Sequence, residues 1–200
     1  LGAGNDNVYK NALVIFVAFQ AASMTALDPN ALVNLAGAVF ILPFVLFSAT
    51  SGQLADKYEK SRLISITVAI EFACMALGAA GFFLHSLPLL FAALFLGGIQ
   101  SALFGPVKYA ILPQHLKESE LVGGNGMVEM GTSVAILVGM MLGGWLVAQE
   151  GWGVTAAAIV TMGISATGFL LSRLIPLAPA AAPELKINWN PLTETWRNFQ

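Results

Sequence analysis

Residues Leu103–Leu121 read LFGPVKYAILPQHLKESEL. The first half is an apolar run that carries one ammonium, Lys108, just after a Gly105-Pro106 step. An ammonium at the centre of a lipid-embedded helix costs about 2.5–3.5 kcal/mol on insertion scales. Two environments make that tolerable. The charge faces protein or a water-filled cavity, or the side chain snorkels back to the interface. Pro113 is near enough to keep the second option open. Pro106 also deprives a helical carbonyl of its partner, which is tolerated at membrane depth only where protein or water supplies another.

The composition around this stretch fixes the class. Hydrophobic residues make up 57% of the 200 and charged residues 10%, against about a quarter charged in a soluble domain. Mean hydropathy is +0.77. The chain is expected to be an all-α membrane protein that crosses the bilayer several times. A net charge of −2 gives no reason to expect nucleic acid as a partner. There is no P-loop, nucleophile elbow or metal-ligand cluster. His115 and Glu120 only approximate the His-x4-Asp pair of glycerolipid acyltransferases. Transport rather than catalysis is expected, with no cofactor and no metal. The single cysteine, Cys74, sits in an apolar segment as a packing residue.

Six segments meet the requirement of about 20 mostly apolar residues. They are Leu1–Ala22, Leu32–Leu54, Leu63–Leu84, Leu89–Leu112, Leu121–Ala148 and Val154–Ile175. The connections are short, which predicts that consecutive helices are antiparallel neighbours. Lys57, Lys60, Arg62, Lys117, Arg173, Lys186 and Arg197 all fall on one side, which the positive-inside bias makes cytoplasmic. Residues 1–175 are thus expected to form a six-helix unit, with both ends inside. Residues 176–200 are expected to begin a cytoplasmic linker, with Trp189, Leu192, Trp196 and Phe199 spaced for an amphipathic helix or a linker helix packed on protein. The chain does not begin with Met and ends in what reads as a loop, so it is expected to be a fragment. A short echo between Asp6-Asn7-Val8-Tyr9-Lys10 and Pro106-Val107-Lys108-Tyr109 is compatible with a 3+3 repeat.

Charges inside the apolar segments are the candidate site. Asp6 and Lys10 share a helical face. Asp6 either lines a cavity, to hold a cationic group or Lys108, or pairs with a snorkelling Lys10. Gln100, Lys108 and Tyr109 lie on the fourth segment, where Lys108 suits an anionic headgroup. Asn125 and Glu129 share a face of the fifth. They either form a stripe towards the cavity, with Glu129 as counter-charge to Lys108 or as a site for a cationic headgroup, or belong to an internal ion pair that fixes helix packing. Glu71 is expected to be structural or snorkelling. Gly139 and Gly143 form a G-x-x-x-G pair, which suits close helix packing.

Gly52–Arg62, GQLADKYEKSR, resembles the 2–3 loop signature of the major facilitator superfamily, with Glu59 where a second glycine is usual. The resemblance implies a gating loop in which Gly52 permits close helix approach, Asp56 caps a helix or pairs with a cation, and Lys57 and Arg62 hold the loop inside. The blocks FGPVKYAILP, ELVGGNGMVEMGT and AILVGMMLGG, with Asn5-Asp6-Asn7, are similar to the bacterial lysophospholipid transporters of that superfamily. The resemblance implies the N-terminal half of its fold, a missing C-terminal six-helix half, and movement of lysophosphatidylethanolamine-like lipids across the inner membrane. It also implies an acyltransferase or acyl-acyl-carrier-protein synthetase as a fused or separate partner. It points to Asp6 and Lys108 as residues that act on the headgroup, and Asn125 and Glu129 match family positions too; Asn7 and Tyr109 complete the expected substrate-binding set. A zwitterionic headgroup needs both signs in one cavity, and these residues supply them. An efflux carrier for amphipathic drugs, or an anchor module for an acyltransferase, fits the same fold.

Overall fold

The computed structural model describes residues 1–20 and 24–190. Its regular structure is helical: α1 Gly2–Gln20, α2 Pro29–Lys57, α3 Lys60–Phe83, α4 Leu87–Ala110, the single turn α5 Leu112–His115, α6 Leu121–Val147 and α7 Gly153–Ser172. Residues 191–200, which carry most of the expected amphipathic segment, lie outside the described residues.

Local chemistry sets the helix starts. Asp28 accepts from the Asn30 amide at 3.3 Å and Pro29 occupies the first turn, where its missing N–H costs nothing. The expected 2–3 loop shrinks to two residues. Gly52–Lys57 complete α2, and α3 begins at Lys60, leaving Tyr58 and Glu59 as the connection. The expected cap, Asp56, is therefore inside a helix, and Glu59 does the capping. Its carboxylate accepts from the amides of Ser61 and Arg62 at 3.0 and 2.8 Å.

Among the described residues, five helical stretches are long and apolar enough to cross a membrane: Pro29–Lys57, Lys60–Phe83, Leu87–His115, Glu118–Val147 and Gly153–Ser172. The chain is a multi-pass membrane protein. α1 is the polar exception, and the fold puts it at the centre, against α2, α3, α4, α6 and α7. Val8, Tyr9, Ala12, Leu13, Phe16 and Val17 are all buried. Tyr9 donates to the Leu90 carbonyl at 2.9 Å and meets Phe82 edge-on at 5.7 Å, tying α1 to α4 and α3.

Apart from α3 and α4, consecutive helices are not the main neighbours, contrary to expectation. α2 packs chiefly on α4, and α1 chiefly on α6. The reason is a 3+3 symmetry. Exchanging α1 with α4, α2 with α6 and α3 with α7 maps the α1–α6 contact onto α4–α2, and α3–α4 onto α7–α1. The lead helix of each unit is wrapped by the other unit. The short sequence echo is not in register with this symmetry, because Asp6 falls early in α1 and Lys108 late in α4.

The α1–α6 contact depends on missing side chains. A Cβ at Gly139 would collide with the Gly4 carbonyl, and one at Gly143 with the Val8 carbonyl. Both are rigid backbone atoms, so the helices would have to move apart. Gly52, expected to permit such an approach, has open space where its Cβ would go. Overpacking typically costs about 1–3 kcal/mol. Gly143→Ala should therefore lower the midpoint of thermal unfolding in detergent, whereas Gly126→Ala, with open space at its Cβ, should leave it unchanged or raise it.

Candidate functional site

The first two turns of α1 are polar and enclosed. Asn5, Asp6 and Asn7 are all buried. Asn5 Nδ2 donates to Glu71 Oε1 of α3 at 2.8 Å, and Asn7 Nδ2 donates to the Ala3 carbonyl at 2.8 Å. The Ser101 hydroxyl of α4 donates to Asp6 Oδ2. The other Asp6 oxygen, Oδ1, is buried and has no hydrogen-bond partner, as is Asn5 Oδ1. Such atoms are costly, about 1–3 kcal/mol each when left unsatisfied, and a carboxylate oxygen of this kind suits a cationic or donor ligand.

Lys108 reaches the same space from α4. Its Nζ donates to Thr132 Oγ1 of α6 at 3.1 Å and lies 4.6 Å from the Tyr109 ring centroid. Thr132 spends its own proton on the Val128 carbonyl at 2.7 Å, so its hydroxyl oxygen is oriented to accept. Asp6, Asn7, Gln100, Ser101, Lys108 and Thr132 line one cavity of about 540 Å³, with Phe40, Phe44, Phe104 and Ile136 among its apolar walls. An anionic and a cationic group share this cavity, and neither is hydrogen-bonded to the other.

The other expectations divide. Gln100 is buried on the cavity wall. Tyr109 and Glu129 are off the cavity. The Tyr109 hydroxyl donates to Glu129 Oε2, so Glu129 answers Tyr109 rather than Lys108. Asn125 and Glu129 are exposed on α6 and are not part of this cavity's lining. Glycines and Met127, Val128, Gly131 and Thr132 turn towards the cavity instead. Lys10 does not pair with Asp6 and sits 5.2 Å from the Phe40 ring centroid. Glu71 neither snorkels nor faces lipid; it is 2% exposed and bonded to Asn5.

Ser101 and Thr132 are the site residues that sequence reasoning missed. Ser and Thr are quiet in apolar helices because they can bond to their own preceding turn. A signal existed for Ser101. It lies two helical turns before Lys108, on the same face.

Lys57 and Arg62 flank the α2–α3 connection, with Lys57 at the end of α2 and Arg62 exposed on α3. Glu59 between them also accepts from the Ser61 hydroxyl at 2.7 Å and the Ala178 amide at 2.8 Å.

The chain belongs to the major facilitator superfamily, whose sequence profile matches residues 9–199. Among its relatives are proteins named lysophospholipid transporter LplT. That of Klebsiella pneumoniae subsp. pneumoniae is 30% identical over 171 residues, covering 80% of this chain and 40% of that protein. That of Salmonella paratyphi B is 34% identical over 169 residues, with the same shares covered. That of an Enterobacter species is 32% identical over 160 residues, covering 80% and 38%. The chain thus spans about two-fifths of the length of the curated relatives it matches. No solved structure matches it significantly.

Burial raises the Glu59 pKa, but the donors from Ala178, Ser61 and Arg62 outweigh this and hold it down to about 2, from an ordinary 4.5. The folded-state value is depressed, so its stabilisation is present above pH 4.5 and is lost as pH falls towards 2. Amide protection at Ala178 and in the first turn of α3 should fade across that window, as read by hydrogen exchange corrected for intrinsic rates. A Glu59→Ala variant should show the low-pH pattern at pH 7.

Proposed function

We propose that this chain forms the N-terminal six-helix half of a transporter that moves lysophospholipids across a bacterial inner membrane by alternating access. Residues 1–175 are the bundle, and the segment from residue 176 leads towards a second six-helix half. The observation that carries this reading is the shared cavity. It sets Asp6, with its unpartnered Oδ1, and Lys108 among phenylalanines.

A lysophosphatidylethanolamine headgroup carries an ammonium and a phosphate. Asp6 suits the first and Lys108 the second, each as a charge-assisted hydrogen bond. Ser101 and Thr132 hold the two side chains in place through hydrogen bonds. Phe40, Phe44 and Phe104 offer an apolar wall to the acyl chain. The names of the relatives agree with this chemistry. A cationic drug would find its carboxylate but would also face the Lys108 ammonium, which disfavours the efflux reading.

The cavity lies towards the basic end of the bundle, built from the start of α1, the end of α4 and the start of α6. By the positive-inside bias that end is cytoplasmic. A lysolipid delivered there is a substrate for an acyltransferase, whether fused or separate. The exposed apolar side chains Met130, Leu137 and Met141 of α6 suit contact with lipid or with the second half.

Losing a hydrogen bond to a charged group costs about 1.5–3 kcal/mol, roughly a tenfold to hundredfold effect. Asp6→Asn and Lys108→Ala in the full-length protein should each cut lysophosphatidylethanolamine uptake into proteoliposomes by at least about tenfold, with membrane insertion unchanged. Glu129→Gln should cost much less. Uptake that survives both cavity substitutions would end the headgroup assignment.

A further inference from the structure

The chain beyond α7 turns back across the basic end of the bundle and is held at four places. The Lys60 amide donates to the Ala178 carbonyl at 2.9 Å, while the Ala178 amide donates to Glu59 Oε1 at 2.8 Å. Lys60 Nζ and Gln114 Nε2 both donate to the Pro179 carbonyl, at 3.1 and 2.9 Å. The Ala182 amide donates to the Asp56 carbonyl at 2.8 Å. Gln53 closes the series, accepting from the Asn188 amide at 2.7 Å and donating to its carbonyl at 3.4 Å.

Two burials show how firmly this is built. Ala178 is 0% exposed and Lys60 1%. A lysine gives up its hydration at high cost unless its partner is kept. The contacts are also of one kind: the helix ends grip backbone N–H and C=O groups, one carboxylate for a donor and one ammonium for an acceptor. Pro176, Pro179 and Pro183 stiffen the segment, so less freedom is lost when it docks.

We infer that residues 176–188 are a permanently docked strap whose receptor is the α2–α3 turn, so that the pivot leading to the second half begins after Asn188 rather than at the end of α7. The strap ties the end of α2, the start of α3 and the turn after α4 to one another. α2 and α4 both supply cavity wall, and any pull along the linker acts on them together. The link to transport rests on the two-half reading above; the docking itself does not.

Peptide-level hydrogen exchange on the full-length protein tests the docking. The wild-type strap should be protected, and Lys60→Met should raise its exchange roughly tenfold, as expected for one lost charged hydrogen bond. Glu59→Ser should do the same, because serine still caps α3 but is too short to reach Ala178. Exchange in α1 and α4 should not change. A strap that exchanges as fast as free chain in the wild type, or one indifferent to both substitutions, overturns the inference.

Permanence is tested by Gln114→Cys with Pro179→Cys, joined by a short cleavable thiol cross-linker. Lysophosphatidylethanolamine uptake should continue undiminished in the cross-linked protein. If cross-linking stops uptake and cleavage restores it, the segment is a gate that must open, and the inference fails. If uptake is absent even before cross-linking, the lysolipid reading fails, and exchange alone decides the strap.

Discussion

Hydrocarbon offers a carboxyl group nothing, and the interior of this bundle holds two, Asp6 and Glu71, both buried. The rest of the architecture follows from keeping both away from lipid. α1 must be the innermost helix because its first two turns are polar. It becomes innermost because each three-helix unit wraps the lead helix of the other. Asn5 then meets Glu71 on one side at 2.8 Å, and Asp6 meets Ser101 on the other. The glycines of α6 complete the enclosure by letting its backbone come against Gly4 and Val8.

Enclosure alone would give a plugged bundle. The cavity exists because α4 and α6 do not close on α1 at the basic end, where Lys108 reaches across to Thr132. One carboxylate oxygen is left without a partner there. A bundle selected only for stability would satisfy it or remove it, since its cost is comparable to that of a whole hydrogen bond. The same economy separates the two carboxylates. Glu71 accepts from the Asn5 side-chain amide, whereas Asp6 lines the cavity beside Lys108 and keeps one buried oxygen without a partner.

Much of this was legible in the sequence. Apolar segments of spanning length and basic residues on one side gave the class and the helices, and the lone charges at Asp6 and Lys108 were expected on one cavity, which both line. Neighbour relations were not legible. Short loops bring helix ends together but do not say that α2 lies against α4. Facing was also hidden on α6, where nearly every residue is apolar or glycine and the pattern has no polar side to read. Asn125 and Glu129 were therefore expected on the cavity, whereas both are exposed and absent from its lining. The charged 2–3 stretch misled for a related reason. Polar residues can extend a helix beyond the membrane as readily as form a loop, and Gly52–Lys57 do the former. The grip of Glu59 and Lys60 on a segment some 120 residues later leaves no local trace at all.

The central proposal is that Asp6 of α1 and Lys108 of α4, which line one cavity, face the headgroup of a lysolipid. Photo-cross-linking tests it most directly. Lysophosphatidylethanolamine with a photoreactive group on its ammonium end would be irradiated with the full-length protein, and the adducts mapped by mass spectrometry. The account places them within Gly2–Asn7, Gln100–Lys108 and Met127–Ile136. Adducts confined to outward side chains such as Ile41, Val45, Ile66 and Leu171 would contradict it.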